Sequence, residues 1–393
     1  MASALLSSTE MMSNSLSKVS IGINGSMLDD EPTGVGVYSF NVINNLAQLY
    51  KEANSSISVF TPTYKKLGLD IEVIKLSDLM QSSKHGKKAA LLRFIWNTVI
   101  YPIQSKKFDY LISPTTHGSF FSKNQVITIH DVLSLKYNKT LPHQRFYFKF
   151  LLPQLIAKSK AIIAISQSTK TDIVNLLNCP EEKIHVIHNG YDPHRYNISE
   201  NNDDAFCKEY GFKNYFLAVG PNYPHKNFEF LLNVYNKLSF EVKEQFPLVI
   251  AGGKQPYLNA IKQFSAKLNL QKHVHFVGYV SEDLMPAMYR EAFALIFASL
   301  DEGFGMPPLE AMACGCPVIA SNSSSIPEVC GEAVLYIDPT KESSLTEAIH
   351  QLTRNKALYN ELREKGVRQA QKFSWRKTAE SLKSLLDDKI FNT

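Results

Sequence analysis

Short β-branched runs alternate with longer amphipathic stretches along almost the whole chain, and this alternation constrains the fold more than any other feature. A first buried strand reads at 19–24 (VSIGIN), followed by a glycine-containing loop and a helix over 37–50 with apolar positions at helical spacing. Further strands read at 56–60, 71–76, 109–113, 126–130, 161–165 and 184–187, with helical patterns between most of them. The second half repeats the scheme. Strands read at 215–220, 247–252, 274–277, 292–297, 317–320 and 333–337, and helices at 227–238, 255–268, 282–290, 307–313 and 341–353. Alternation of this kind predicts an α/β fold of parallel sheets with helices on both faces.

At 393 residues the chain is too long for one hydrophobic core and suits two domains. The best boundary is the turn-rich HNGYDPHRYN (188–197), followed by the polar run 199–205 and a fresh strand. The expected organisation is a disordered, Ser-rich tail (1–17), a first Rossmann-like domain (18–197), a second (198–372) and a C-terminal helix (373–393) able to cross back to the first. No run of about 18 apolar residues offers a spanning helix. The N-terminus lacks a basic n-region, so neither a secretory signal nor a transit peptide is read, and a cytoplasmic protein is expected. Five scattered cysteines without CxxC pairs fit a reducing compartment and exclude a disulfide scaffold or structural zinc. Charge is uneven: residues 1–195 carry 21 Lys/Arg against 14 Asp/Glu, the remainder 21 against 23. A basic first half suggests an anionic partner. No nucleic-acid-reading motif accompanies it, so nucleic acid is not expected.

The sharpest constellation is DEGFGMPPLE (301–310): two carboxylates, Glu302 and Glu310, bracket a Gly-Phe-Gly turn and a helix opened by Pro307 or Pro308. Glycines allow close approach, and the helix start aims backbone N–H groups at an anion. The carboxylates make better sense as acceptors for sugar and ribose hydroxyls than as partners of bare phosphate. Lys226, at the start of a helix just after the first strand of the second half, can neutralise a diphosphate as a point charge. Gly34-Val35-Gly36 after the first strand lacks the third glycine of a dinucleotide fingerprint and an acid closing the second strand, which disfavours NAD. His130 ends an apolar strand at the carboxyl edge, where open α/β sheets bind ligands. Ser166 to Thr169 reads as a helix cap, with a substrate contact as the other possibility. Cys314 and Cys316, one residue apart, read as helix-end packing rather than a metal pair.

The segment 302–339, with its E-x7-E core from Glu302 to Glu310, resembles the signature of the retaining glycosyltransferases of family 4, which have the GT-B fold. The similarity continues through TGVGVYSFNVINNL (33–46), VITIHDV (126–132), AIIAISQSTKTDI (161–173), IHVIHNGYD (184–192), FLAVGPNYPHKN (216–227), VHFVGYV (274–280) and FSW (373–375), and is greatest to mannosyltransferase-like enzymes building bacterial surface polysaccharides. The resemblance implies two doubly wound domains facing a central cleft. It also implies transfer of a hexose, mannose or glucose, from a nucleotide diphosphate sugar, with GDP-mannose slightly ahead of UDP-glucose. The acceptor would be the hydroxyl of a glycan, glycolipid or small molecule.

Residue by residue, the resemblance assigns His130, Glu302 and Lys226 to catalysis. Donor binding falls to Gly34, Gly36, His225, Lys226, Tyr279, Val280, Gly303, Phe304, Gly305, Met306, Leu309 and Glu310. The loop at Gly34 and Gly36 would lie over the diphosphate, and Tyr279 and Val280 would hold the base through backbone groups. His225 stands where relatives usually carry Arg, and Pro221 where many carry another, leaving one fixed cation. No Asp-x-Asp pair occurs, so neither a metal nor any other cofactor is expected. The basic stretch 84–107 reads as a packed helix with Trp96 in the core or as a peripheral anchor on anionic lipid at the inner face of a membrane. The alternative function is a non-catalytic nucleotide-sugar-binding subunit of a glycan assembly complex.

Overall fold

The computed structural model describes residues 19–32, 34–52, 56–68, 71–137, 142–199 and 204–391; the tail read at 1–17 lies outside them. The chain forms two compact units. Unit 1 comprises residues 1–165, 172–187 and 375–393, and unit 2 comprises 166–171 and 188–374.

Unit 1 is built on seven parallel strands, β1 (Ser20–Asn24), β2 (Ser56–Thr61), β3 (Glu72–Lys75), β4 (Tyr110–Ser113), β5 (Gln125–Ile129), β6 (Ala161–Ala164) and β7 (Ile184–Val186), in the order β3-β2-β1-β4-β5-β6-β7. The β5 and β6 strands are buried from end to end, because a parallel sheet covered on both faces has no wet side. The order reverses between β1 and β4, so a crevice opens at their carboxyl ends. Helix Gly34–Glu52 follows β1 and begins at Gly34 itself. The loop expected at Gly34 and Gly36 is therefore the first turn of that helix. Helix Trp375–Phe391 packs against Gly34–Glu52, with Tyr50 donating to Asp387 at 3.3 Å and the Trp375 ring 5.8 Å from that of Tyr38.

Unit 2 holds six parallel strands, β8 (Tyr215–Val219), β9 (Leu248–Ala251), β10 (Val274–Gly278), β11 (Ala292–Phe297), β12 (Val318–Ser321) and β13 (Leu335–Ile337), ordered β10-β9-β8-β11-β12-β13. Its reversal falls between β8 and β11. The core joins β8, β9 and β11 to the apolar stripe of helix Phe228–Lys237 (Phe228, Leu231, Leu232, Val234, Tyr235). Helix Lys356–Ala370, capped by Asn355 through the Leu358 amide at 3.0 Å, packs on helix Met306–Ala313. Gly366 allows that approach: a Cβ there would lie 3.2 Å from the Met312 side chain.

Candidate functional site

The two strands flanking the switch point of unit 2 deliver the acid and the base of the expected site. After β8, residues Pro224–Lys226 form a single 3-10 turn closed by Asn227, whose φ of 62° is a left-handed conformation that asparagine tolerates. The Asn227 amide donates to the carbonyls of Ala298 (3.1 Å) and Pro339 (2.8 Å), and the Leu300 amide donates to the His225 carbonyl at 2.8 Å. These bonds pin the turn to the segment that follows β11. As a result the Lys226 ammonium donates to both carboxylate oxygens of Glu302, at 2.7 and 2.9 Å, with both side chains largely buried and the ammonium 5.5 Å from the Phe297 ring centroid. The lysine and the acid given separate ligand contacts by the resemblance thus hold one another. His225 is buried, with Tyr223 stacked on it at 5.6 Å, and desolvation pushes its pKa down. It adds no second cation at neutral pH.

The loop between Asp301 and Met306 is clamped by hydroxyls. Ser324 accepts from the Glu302 amide at 2.9 Å, and Ser325 donates to the carbonyls of Glu302 (3.0 Å) and Phe304 (2.8 Å). Ser166 and Thr169 both donate to the Gly303 carbonyl, at 2.7 and 3.1 Å, while the Ser166 oxygen also caps its helix by accepting from the Thr169 amide. Ser166 thus caps its helix and also holds the Gly303 carbonyl. Gly305 adopts a φ of 113°, and a Cβ there would stand 2.8 Å from Ile326 Cδ1, so geometry and space both require glycine. Tying down the carbonyls fixes the loop while helix Met306–Ala313 presents its opening amides.

Glu310, one turn into that helix, meets two phenols. Tyr289 donates to Oε2 at 2.9 Å, and the Tyr196 phenol lies beside the same carboxyl. Burial raises the Glu310 pKa to about 7, outweighing the two phenols and the nearby Arg195. Phe304 and Leu309 are core residues, and the Leu309 amide is already bonded to the Gly305 carbonyl at 3.3 Å. Neither side chain is exposed at the loop surface. The Met306 sulfur lies 4.0 Å from the Asn189 amide nitrogen. At the end of β10, Gly278 has a φ of 70°, the Tyr279 ring is 79% exposed and Val280 is buried. Cys314 and Cys316 are buried free thiols, in keeping with helix-end packing.

Sequence reading missed the acid–base pair beside this loop. His188 Nε2 lies 2.5 Å from Glu328 Oε1, and Glu328 accepts from the Gln167 amide at 2.9 and 2.8 Å. Burial works to raise the Glu328 pKa, but the His188 and backbone hydrogen bonds hold it below the ordinary value. Glu328 sits 18 residues after Glu310, on a separate short helix beyond β12, so no single helix face relates the two in sequence.

In unit 1, His130 follows β5 with Nε2 2.9 Å from the Pro114 carbonyl and the Tyr38 ring edge-on at 4.7 Å. Burial pushes its pKa down to about 4, so the ring is neutral at pH 7, Nε2–H donates to the carbonyl and Nδ1 carries the lone pair. Gly36 is needed for space, since its Cβ would lie 2.8 Å from Pro32 Cβ; at Gly34 a Cβ would meet nothing within 4 Å. A polar group at the carboxyl ends of β1 and β4 was also not read from sequence: the Asn24 amide donates to Asn97 (2.6 Å) and to the His117 carbonyl (3.0 Å), and Tyr147 donates to the Thr116 carbonyl (2.6 Å). Among the described residues no group of three or more His, Cys, Asp or Glu is placed to hold a metal ion.

Comparison with known proteins agrees with this geometry. Residues 33–195 match the family described as Glycosyltransferase Family 4, and residues 200–373 match Glycosyl transferases group 1. The O-antigen chain mannosyltransferase RfbU of Salmonella typhimurium is 31% identical over 83% of this chain and 89% of its own length. The O-antigen chain mannosyltransferase B of Escherichia coli is 28% identical over 87% and 93%. Among solved structures, sucrose-phosphate synthase from Thermosynechococcus elongatus superposes with a TM-score of 0.73 at 17% identity, covering 96% of this chain and all of the other. HepE from Anabaena, solved with UDP and glucose, gives 0.70 at 17% identity over 94% of this chain and all of its own. The matched segments span both units, and the chain belongs to glycosyltransferase family 4, with the paired Rossmann-like units of the GT-B fold.

Proposed function

We propose that this glycosyltransferase moves a hexose, mannose ahead of glucose, from a nucleotide diphosphate sugar to the hydroxyl of a glycan or lipid-linked acceptor, with retention and without a metal ion. The observation that carries the reading is the Lys226–Glu302 pair, held at a topological switch point beside a clamped glycine turn and a helix start. Both relatives named above are mannosyltransferases of O-antigen chains, which favours mannose and a polysaccharide acceptor.

Donor binding exchanges the internal ion pair for two ligand contacts: Lys226 turns to the diphosphate and Glu302 accepts from hexose hydroxyls. Amides of Gly303 to Gly305 face the phosphates, and Glu310 accepts from the ribose. His130, neutral and pinned by Pro114, serves as a hydrogen-bonding group for a sugar hydroxyl rather than a proton carrier. In the reaction the bond from C1 to the phosphate oxygen breaks and a bond from C1 to the acceptor oxygen forms on the same face. The acceptor's proton passes to the leaving phosphate oxygen. The protein contributes position and charge stabilisation. Contact of the basic 84–107 segment with the inner face of a membrane would place a lipid-linked acceptor within reach.

Melting-temperature shifts across a panel of nucleotide sugars test the donor assignment, because a ligand of the folded state raises stability. GDP-mannose is expected to give the largest shift and, with acceptor present, release of GDP. No shift with any nucleotide sugar would overturn the proposal. Binding without turnover on any acceptor would favour the non-catalytic subunit.

A further inference from the structure

The turn that holds the Glu302 backbone contains a residue in a conformation foreign to its type. Residues 322–325 join β12 to helix Ile326–Cys330, and both ends of this turn are fixed. The Asn322 amide donates to the Ile337 carbonyl at 2.9 Å, and the Ile326 amide donates to the Ser323 carbonyl at 3.2 Å. Between them Ser324 has a φ of 50°, in the left-handed region. A side chain there crowds the backbone, a cost that only glycine escapes. Among the described residues six non-glycine positions have a positive φ. Five are Asn178, Asp204, Asn214, Asn227 and Asn269, whose short polar side chains make the conformation tolerable. Ser324 is the sixth. Nothing in its backbone favours serine over glycine.

What serine supplies is its hydroxyl. The oxygen accepts from the Glu302 amide at 2.9 Å, while the neighbouring Ser325 donates to the Glu302 carbonyl at 3.0 Å. Two adjacent serines therefore set the peptide groups on both sides of Glu302. At the far end of the side chain, Lys226 holds both carboxylate oxygens. These restraints do not last equally. On the proposed function, the donor draws the Lys226 ammonium to its diphosphate, and the carboxylate loses its internal partner as it takes the hexose hydroxyls. From then on the backbone alone aims Glu302. A tilt of its peptide is carried down the side chain to the carboxylate, and hydrogen bonds weaken steeply with angle. The rest of the glycine turn has supports of its own: Ser166 and Thr169 hold the Gly303 carbonyl, and Ser325 holds that of Phe304. Losing the Ser324 hydroxyl thus disturbs the acid and spares the turn.

We infer that Ser324 is a positioning residue: its hydroxyl, kept at the cost of a strained backbone, aims Glu302 at the hexose and so sets how firmly the site holds the sugar part of its donor. The inference rests on the proposed function and adds to it a residue that acts through Glu302 rather than on the sugar itself.

Calorimetric titration of the full chain with GDP-mannose and with GDP tests the role, or with UDP-glucose and UDP where that donor binds tighter. Ser324→Gly removes the hydroxyl and relieves the backbone. Its affinity for the nucleotide sugar should fall about tenfold, the scale of one misdirected bond to a charged group, with affinity for the bare nucleotide changed less than about twofold. Its kcat should fall by about tenfold or more, because the hexose is held off its reacting geometry. Its melting temperature should stay within about 2 °C of wild type, since the relieved strain offsets the lost bond. Ser324→Ala loses the same hydroxyl and keeps the strain. It should match the glycine variant in nucleotide-sugar affinity and kcat, yet melt about 2–4 °C below it. Activity then follows the hydroxyl while stability follows the backbone, a split that a merely structural serine does not produce. Undiminished nucleotide-sugar affinity in Ser324→Gly, equal weakening of nucleotide sugar and nucleotide, or a kcat that recovers from alanine to glycine in step with melting temperature would overturn the inference alone. A wild-type chain that binds neither GDP-mannose nor UDP-glucose would sink the proposed function, and this inference with it.

Discussion

The switch points of the two units make a contrast between charge and neutrality. Unit 2 pairs an ammonium with a carboxylate that stands four residues before a helix start, and fixes the loop after that carboxylate with four hydroxyls. Unit 1 places at its own switch point a neutral histidine, two asparagines and backbone carbonyls, closed over by aromatic rings. A leaving diphosphate needs stabilised charge, whereas a sugar needs only hydrogen bonds of fixed direction. On the proposed function, the difference puts the energetic burden of transfer on unit 2.

The largest expected effect breaks that contrast directly. Lys226→Ala should lower kcat by about 10²–10³, the usual cost of one charge-stabilising contact, while thermal unfolding stays cooperative. His130→Asn, which removes a neutral group, should cost less than Lys226→Ala in a parallel assay. Equal losses for the two variants, or near-normal turnover without Lys226, would refute the division of labour.

A second, smaller effect is in pH. Glu310 has a folded pKa of about 7, raised by burial, and a ribose hydroxyl donates best to its ionised form. Nucleotide affinity should therefore fall as pH drops below 7, approaching about tenfold per unit, and Glu310→Gln should flatten that slope while weakening binding at pH 8. Stability runs the other way. The folded carboxyl binds more protons than the unfolded one between about pH 4.5 and 7, so its contribution to stability declines as pH rises through that window. For His130 the folded pKa of about 4 lies below the ordinary value, and its contribution is lost as pH falls from about 6.5 to 4. Calorimetry of Glu310→Gln and His130→Asn across pH 4 to 8 should change the slopes in opposite directions, and slopes of the same sign would contradict the burial of one or the other.

The fold was legible because parallel strands covered on both faces must be written as apolar runs, and β5, β6, β9 and β12 are buried throughout. Strand positions fall within one or two residues of expectation. Helix Lys356–Ala370 was not read, since its stripe of Leu358, Leu362, Gly366 and Ala370 is thin among charged neighbours and one member is a glycine that serves contact with Met312. At the site, Glu302, Glu310 and the Gly-Phe-Gly turn stood out from local spacing, whereas Lys226 was singled out by the family resemblance. Glu328 and the Asn24–Asn97 bond were not, because their partners lie 140 residues from Glu328 in the case of His188 and 73 apart in the case of the asparagines. Nor does local spacing reveal that Lys226 and Glu302 satisfy one another before any ligand arrives. Pairing across 76 residues is decided by the β8–β11 adjacency, which only the sheet order reveals.

Glycines sharpen the comparison at the smallest scale. Gly305 and Gly34 both stand at a helix start beside an expected phosphate contact, yet only Gly305 is demanded by its backbone. Gly305→Ala forces a side chain into φ 113° and against Ile326, and should destabilise unit 2 by about 1–3 kcal/mol. Gly36→Ala must push against Pro32 without backbone strain, so its cost should be smaller, about 1 kcal/mol. Gly34→Ala meets open space in a helical turn and should shift stability by no more than about 0.5 kcal/mol. If Gly34→Ala nonetheless weakens donor binding at unchanged melting temperature, the open space beside it is ligand space, and unit 1 contributes backbone to the phosphates as the family resemblance implies. Unchanged affinity would confine the phosphate contacts to unit 2 and make the contrast between the two switch points complete.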